Sequence, residues 1–445
     1  MRNSAIARLA VMGGLTIALL VPMMWVDAIV SERSTFRDAA VANVSASWGG
    51  PQTIAGPVLS VPYTTIWIDN AGHEQRSLCR AQFLPRDLHI AGALNTDLRA
   101  RGIFDVVVYR TALKVTGRFV PPGMDWIRPV PTQIDWSQAT VNIGVADPRG
   151  LTRRATIRWG AEDLPLTGGV TAVGLFSTGV QAVVPGLDKT QAGAEIPFAF
   201  TIETNGTRDA FFLPNAEETT VSLTSAWPHP SFAGSPLPET RRVDRNGFSA
   251  EWRAADFGRP YPARWTSNDT GAQQLVDQAR RSAFGVSLVQ PVDIYQQSER
   301  AVKYAVLFIV LTFLVFFLWE IFHAALLHPM QYAFVGFALC VFYLLLVSIS
   351  EHAGFDVAYT ISASVTTLLI SGYARAVLGG ATQGASVLVA LTGLYGFLYL
   401  LLRLEDYALL AGSIGLFLVL TGLMYITRRM NWYELKLQEP KALDR

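Results

Sequence analysis

The sequence predicts an α-helical membrane protein carrying a large extracytoplasmic all-β, sandwich-like domain. One N-terminal transmembrane helix and a five-helix C-terminal bundle flank that domain. Three observations carry the prediction. Residues 304–427 read as five apolar spans with short polar breaks. An apolar run, residues 9–26, follows Arg2 and Arg8 at the N-terminus. Between the two lies a long stretch of short alternating runs and turn signals. Hydrophobic residues make up 51% of the 445 and charged residues 16%, which is apolar for a soluble protein.

The N-terminal run is longer than the apolar core of a cleaved signal peptide. Val26-Asp27-Ala28 is a weak cleavage site, so residues 1–30 are expected to form an uncleaved signal anchor, with cleavage as the alternative. Arg2 and Arg8 are expected to hold the N-terminus in the cytoplasm.

Residues 31–303 are expected to form the periplasmic β-rich domain. Apolar and polar residues alternate with period two in 106–119, 141–145, 155–159, 198–202 and 219–223. Turn signals separate them: Asp69-Asn70-Ala71-Gly72, Asp147-Pro148-Arg149-Gly150, Asn205-Gly206 and Arg245-Asn246-Gly247. Pro228, Pro230, Pro236 and Pro238 lie too densely for a continuous strand, so 228–238 is expected to be an ordered loop held by Trp227 and Phe232. Helices are expected only over 31–42, continuing the anchor, and over 272–284. No internal repeat or low-complexity tract is visible.

The C-terminal spans read as 304–327, 331–350, 355–374, 384–402 and 407–427. Each approaches the roughly 20 apolar residues that cross a hydrocarbon core. Only a helix satisfies its own backbone groups in lipid. The breaks are tight, so neighbouring helices are expected to run antiparallel; only 375–383 reads as a longer one. Gly380 with Gly384, and Ala411 with Gly415, are spaced for close helix packing. Six spans place both termini in the cytoplasm and 428–445 as a cytoplasmic tail. Arg375, Arg428, Arg429 and Lys436 then lie inside, whereas Glu351, Asp356, Glu405 and Asp406 lie outside. Arg300 and Lys303 fall on the outer side, against the trend.

A net charge of +1 gives no electrostatic case for nucleic acid. Cys79 and Cys340 fall in different domains, which excludes a disulfide framework and a thiolate zinc site. No cofactor motif appears, and neither a G-x-S-x-G elbow, an H-E-x-x-H pair nor a P-loop is present.

Six residues stand out as candidates. Glu320 and His323 share a helix face inside the second span, where a carboxylate marks a functional hypothesis. The functional reading is a proton or ion site, helped by His328; the structural one is a pair near the helix end. Glu320→Gln is expected to leave folding and any envelope phenotype nearly unchanged. Glu351 and His352, with Asp356 beside them, sit at one outer helix boundary, and Glu405 and Asp406 at another. Such residues either converge on a cation or simply cap helix ends. Ser348, Ser350 and His352 invite a hydrolase reading, but a triad is recognised in space and not by adjacency. Trp48, Trp126, Trp136, Trp159, Trp227, Trp252 and Trp265 either stack on a glycan or pack in the core. His73, His89 and His229 are scattered without ligand spacing.

The chain resembles a known family. Trp48-Gly49-Gly50-Pro51-Gln52-Thr53-Ile54-Ala55-Gly56-Pro57 after an N-terminal anchor carries the resemblance, as do Trp227-Pro228-His229-Pro230-Ser231-Phe232 and Gly247-Phe248-Ser249-Ala250-Glu251-Trp252. Pro291-Val292-Asp293 and Arg300-Ala301-Val302-Lys303-Tyr304-Ala305 extend it. So do His328-Pro329-Met330-Gln331-Tyr332, Ser350-Glu351-His352, Leu404-Glu405-Asp406-Tyr407-Ala408-Leu409-Leu410, and Met424-Tyr425-Ile426-Thr427-Arg428-Arg429 with Trp432-Tyr433. Together these resemble the CreD inner membrane proteins over nearly the whole chain. The resemblance implies a role in cell envelope integrity, linked to the CreB–CreC regulon, colicin tolerance and the response to β-lactams. It implies no catalytic residue.

Three readings follow. The first is a non-enzymatic envelope-integrity or envelope-stress protein in the lipid bilayer, whose periplasmic domain binds an envelope protein or a peptidoglycan-related ligand. The second is an ion-coupled transporter or channel using Glu320 and His323. The third is a membrane enzyme acting on lipid-linked envelope precursors.

Overall fold

The computed structural model describes residues 5–68, 73–120, 123–172, 174–185, 187, 195–268, 271–290, 294–323, 327–404 and 407–428; for 5–8, 272–273 and 322–323 it describes the backbone alone. The chain forms two compact units, Met1–Arg37 with Val292–Arg445, and Asp38–Pro291.

The first helix, α1 (Ala5–Trp48), runs 44 residues without interruption. The anchor and the 31–42 helix of the sequence reading are therefore one element, and it continues six residues further. It stops at Gly49, whose φ of 125° is open to glycine and strained for other residues. A side chain there would also press on the Asn205 carbonyl.

Among the described residues the β unit is built from two sheets. The first has ten strands, ordered along its main path as Pro230–Gly234, Phe284–Leu288, Asp209–Phe212, Gln52–Ile68, Thr140–Val145, Gly179–Val183 and Thr167–Gly168. The second has eight, ordered Thr240–Asp244, Gly247–Ala255, Glu218–Ser225, Asp87–Arg101, Phe104–Phe119, Ile196–Thr207, Thr156–Trp159 and Glu162–Pro165. Period-two patterning decides which residues go inside. Leu113, Val115 and Phe119 are buried, while Lys114 and Arg118 between them are exposed. Leu59, Val61, Val141 and Ile143 of the first sheet share one core with Leu88, Ile90, Val115 and Phe198 of the second. Trp252 sits in that core, fully buried, with its ring centre 5.7 Å from Phe232 and 6.4 Å from Phe284.

Two turn and loop expectations are corrected. Asn205-Gly206 is no turn but the end of the straight Ile196–Thr207 strand, paired with Arg110 and Tyr109. Gly206 is there because a side chain would collide with the Tyr109 ring. Within 228–238, Pro230–Gly234 forms an edge strand on Phe284–Leu288. Pro230 is its first residue, a place where the missing N–H does no harm. Phe284 begins that partner strand, so α2 (Ala272–Arg281) is shorter than expected. The turn at 69–72 lies outside the described residues.

The helical unit adds α3 (Ile294–Lys303), α4 (Ala305–His323), α5 (Pro329–Ala353), α6 (Phe355–Val377), α7 (Ala381–Arg403) and α8 (Ala408–Thr427). Among the described residues α1 and α5–α8 are long and apolar enough to cross a membrane, and α3 with α4, bent by 48°, makes a sixth if the pair is one span. The break expected over 375–383 is only 378–380, because α6 runs on to Val377 and α7 starts at Ala381. Gly384 brings α7 close to Arg375 of α6, where a Cβ would not fit. Ile309, Phe313, Leu339, Phe342, Tyr343, Val387 and Leu391 form the centre of the bundle.

Candidate functional site

Glu320 lies near the end of α4 and is 1% exposed. Leu327 lies just before α5, outside any helix, so its backbone N–H needs an acceptor. Glu320 supplies one. Leu327 N–H donates to its Oε1 at 3.1 Å, and the Tyr332 hydroxyl donates to its Oε2 at 2.9 Å. His328, expected to assist a proton site, instead caps α5. Its Nδ1 accepts from Met330 N–H at 3.3 Å, and Gln331 Oε1 accepts from His328 N–H at 2.8 Å, with Pro329 at the first helical position. The side chain of His323 lies outside the described residues.

At the other end of α5, Glu351 is held by neighbours from two helices. The Tyr295 hydroxyl of α3 donates to its Oε1 at 3.0 Å, and Arg33 Nε of α1 stands 3.6 Å from the same oxygen. Arg37, one turn on from Arg33, covers the Tyr295 ring at 5.9 Å. The structure does not pair Glu351 with His352. The His352 ring is exposed, and its Nδ1 sits 3.2 Å from the Ser348 carbonyl. Ser350 donates to the Val347 carbonyl at 2.8 Å. The Ser350 hydroxyl and the His352 ring thus each meet a backbone carbonyl. Asp356 pairs with Arg403 across the ends of α6 and α7 at 2.6 Å and accepts from Tyr399 at 3.1 Å. Glu405 and Asp406 lie outside the described residues. Among the described residues no three metal-ligating side chains come together.

In the β unit the motif at 48–57 is explained by a polar hub. Asp147, 8% exposed, accepts from Gly50 N–H at 2.8 Å through Oδ2. Its carboxylate also takes the Arg149 fork, Nε at 2.8 Å and Nη2 at 2.9 Å. Gln52 donates to the Asp147 and Asn205 carbonyls, each at 3.0 Å. The Arg149 fork, followed by the Gly50 N–H, holds the Asp147 carboxyl below its ordinary range against the opposing pull of burial. Trp48 is wedged between Arg99 and Arg110, at 4.6 and 4.8 Å from its ring centre. The other six tryptophans singled out in the sequence pack. Trp159, Trp252 and Trp265 are buried, and Trp126, Trp136 and Trp227 lean on the core. Trp227 Nε1 donates to the Val289 carbonyl at 3.0 Å.

The β unit also holds a cleft of about 560 Å³, within the range typical of ligand pockets. Its floor is the 52–68 and 140–145 strands, at Thr53 and Val145. Phe176, Leu213 and Val276 make its walls. Arg280, near the end of α2, is a cation at its edge. The Thr178 hydroxyl is committed to the Val145 carbonyl at 2.8 Å, which pins the loop to the floor. Beneath, Tyr261 donates to Asn215 Oδ1 at 2.6 Å, and burial pushes its pKa up, so it is a neutral donor at physiological pH. None of the cleft residues was a candidate site in the sequence, although Thr53 and Ala55 fall in the 48–57 motif. The run Gly168-Gly169-Val170-Thr171-Ala172 through Gly179, rich in small residues between two strands, is the signal that points to a loop lying flat on a sheet.

The sequence profile of the family described as "Inner membrane protein CreD" matches residues 4–433. The chain belongs to the CreD family. It is 33% identical over 434 residues to Inner membrane protein CreD of Escherichia coli (strain K12), covering 96% of this chain and 94% of that protein. Family membership and the apolar helices make it an inner membrane protein with several helices in the bilayer. Among solved structures, an M1 zinc metallopeptidase from Deinococcus radiodurans overlaps 38% of each chain at 9% identity and a TM-score of 0.20. An overlap at that score has no bearing on fold or chemistry.

Proposed function

We propose that this CreD-family protein is a non-enzymatic envelope protein. Its β unit, outside the cytoplasmic membrane, engages an envelope protein or peptidoglycan-related ligand through the cleft lined by Thr53, Phe176 and Val276. The helical unit anchors it, with both termini in the cytoplasm. The cleft is the observation that carries this reading. It combines apolar walls for binding area with a few polar groups for orientation, the usual make-up of a ligand site. The carboxylates of the helical unit support it from the other side. Glu320, Glu351 and Asp356 each answer to donors of the protein itself. The orientation follows Arg2, Arg8, Arg375, Arg428, Arg429 and Lys436 of the expected inner segments, against Arg300, Lys303 and Arg403 on the outer side.

The test is in-cell photocrosslinking from position 276, on the half-buried face of α2 that lines the cleft. A discrete adduct is expected at 276. A protein adduct identifies a partner, and a glycan-bearing adduct identifies a peptidoglycan-related ligand. Absence of any adduct at 276, in cells where the protein is present at normal level, contradicts the proposal. Positions 227 and 232 serve as controls, since Trp227 and Phe232 pack against the core.

A further inference from the structure

The cleft of the β unit presents one sign of charge. Among the described residues that line it, Arg280 alone is charged. Arg280 is exposed and, among the described residues, forms no ion pair or hydrogen bond. Asp147 follows Ala146 of the lining, but its carboxylate is committed to Gly50 N–H and the Arg149 fork. A guest in the cleft thus meets one unanswered cation and no anion.

Much of the remaining lining is apolar. Gly144 has no side chain, so the Phe176 ring lies against the floor where a Cβ would collide with it. Leu213 and Val276 add to the apolar wall, and Val276 stands one helical turn before Arg280 in α2. Thr53 and Ser177 also line the cleft, and among the described residues their hydroxyls are not hydrogen-bonded.

These features fit a chain end. A guanidinium fork matches a carboxylate, and the end of a polypeptide carries a carboxylate directly beside its last side chain. Capture of a terminal carboxylate is a recurring mode of peptide recognition. A cleft of about 560 Å³ takes a few residues rather than a folded surface. A glycan-linked peptide bearing several carboxylates would leave all but one of them unanswered here. We propose, taking the cleft as the binding site, that its guest is the carboxyl-terminal end of an envelope protein whose last residues are apolar. The terminal carboxylate pairs with Arg280, and the last side chains pack on Phe176, Leu213 and Val276.

The test is photocrosslinking in cells from position 276 of the full chain, with Arg280 intact and in the Arg280→Gln and Arg281→Gln variants at equal protein level. Each adduct is mapped by mass spectrometry. With Arg280 intact, the adduct should map to the last residues of a protein, with its carboxylate free. Arg280→Gln removes a charge-assisted pair and should lower the yield about tenfold. Arg281→Gln makes the same charge change outside the lining and should leave the yield unaltered. An equal yield in Arg280→Gln, or an equal loss in both variants, overturns the proposal. So does an adduct on glycan or on the interior of a protein chain, which leaves the cleft itself standing as a binding site. Absence of any adduct with Arg280 intact overturns the cleft reading as well.

Discussion

Asp147→Asn is the sharpest test of how the 48–57 motif is held. Wild-type Asp147 offers one oxygen to Gly50 N–H and shares both with Arg149. Asparagine keeps a single acceptor oxygen and brings an N–H₂ to the other position, so one buried donor loses its partner. A buried backbone N–H left unpaired costs about 1–3 kcal/mol. The Arg149 head is solvent-exposed and adds little to this. Local opening should therefore be roughly 5- to 150-fold more frequent. The assay is amide hydrogen exchange of the full-length protein, followed on peptides covering 49–60 and 140–150. Peptides from 240–255, in the other sheet, should not change.

The pH dependence has a definite sign. The folded pKa of Asp147 is depressed, so its contribution is present above the unfolded value near 3.9 and lost as pH falls through the folded value. The gap between wild type and Asp147→Asn should be constant from neutrality down to about pH 5 and close below about pH 4. Equal exchange rates for the two proteins at pH 7 would refute the hub.

Other predictions follow from the helical unit. Glu320→Gln replaces the charged acceptor of Leu327 N–H and the Tyr332 hydroxyl by a neutral amide, and should destabilise the helical unit by about 1 kcal/mol. Thermal unfolding in detergent decides between this and the nearly unchanged folding expected from the sequence. Asp356→Asn breaks a pair whose two side chains are more than half exposed. Its unfolding midpoint should stay within about 2 °C of wild type in the same assay. Gly49→Ala forces a positive φ and a close contact with the Asn205 carbonyl, so it should raise hydrogen exchange in 44–56.

Periodicity made the architecture legible. Strands over 106–119, 141–145 and 219–223 were readable because alternation reports which face is buried, and the spans because twenty apolar residues have few other uses. Glycine misled where its role was packing. Asn205-Gly206 carries turn chemistry, yet Gly206 serves the Tyr109 ring. The roles of Glu320 and Glu351 were not legible, since their partners Tyr332, Tyr295 and Arg33 lie on other helices. The cleft escaped for a different reason: its walls come from strands, a loop and α2, far apart in sequence.

The most direct test of the central claim is to fill the cleft. On the proposed envelope role, wild type restores growth under envelope stress to cells lacking the native protein, and Val276→Trp, introduced into the full chain and expressed at the same level, should not. Hydrogen exchange in the two sheets should remain as in wild type. Full support of growth with the cleft filled would contradict the account and move the working surface elsewhere in the protein.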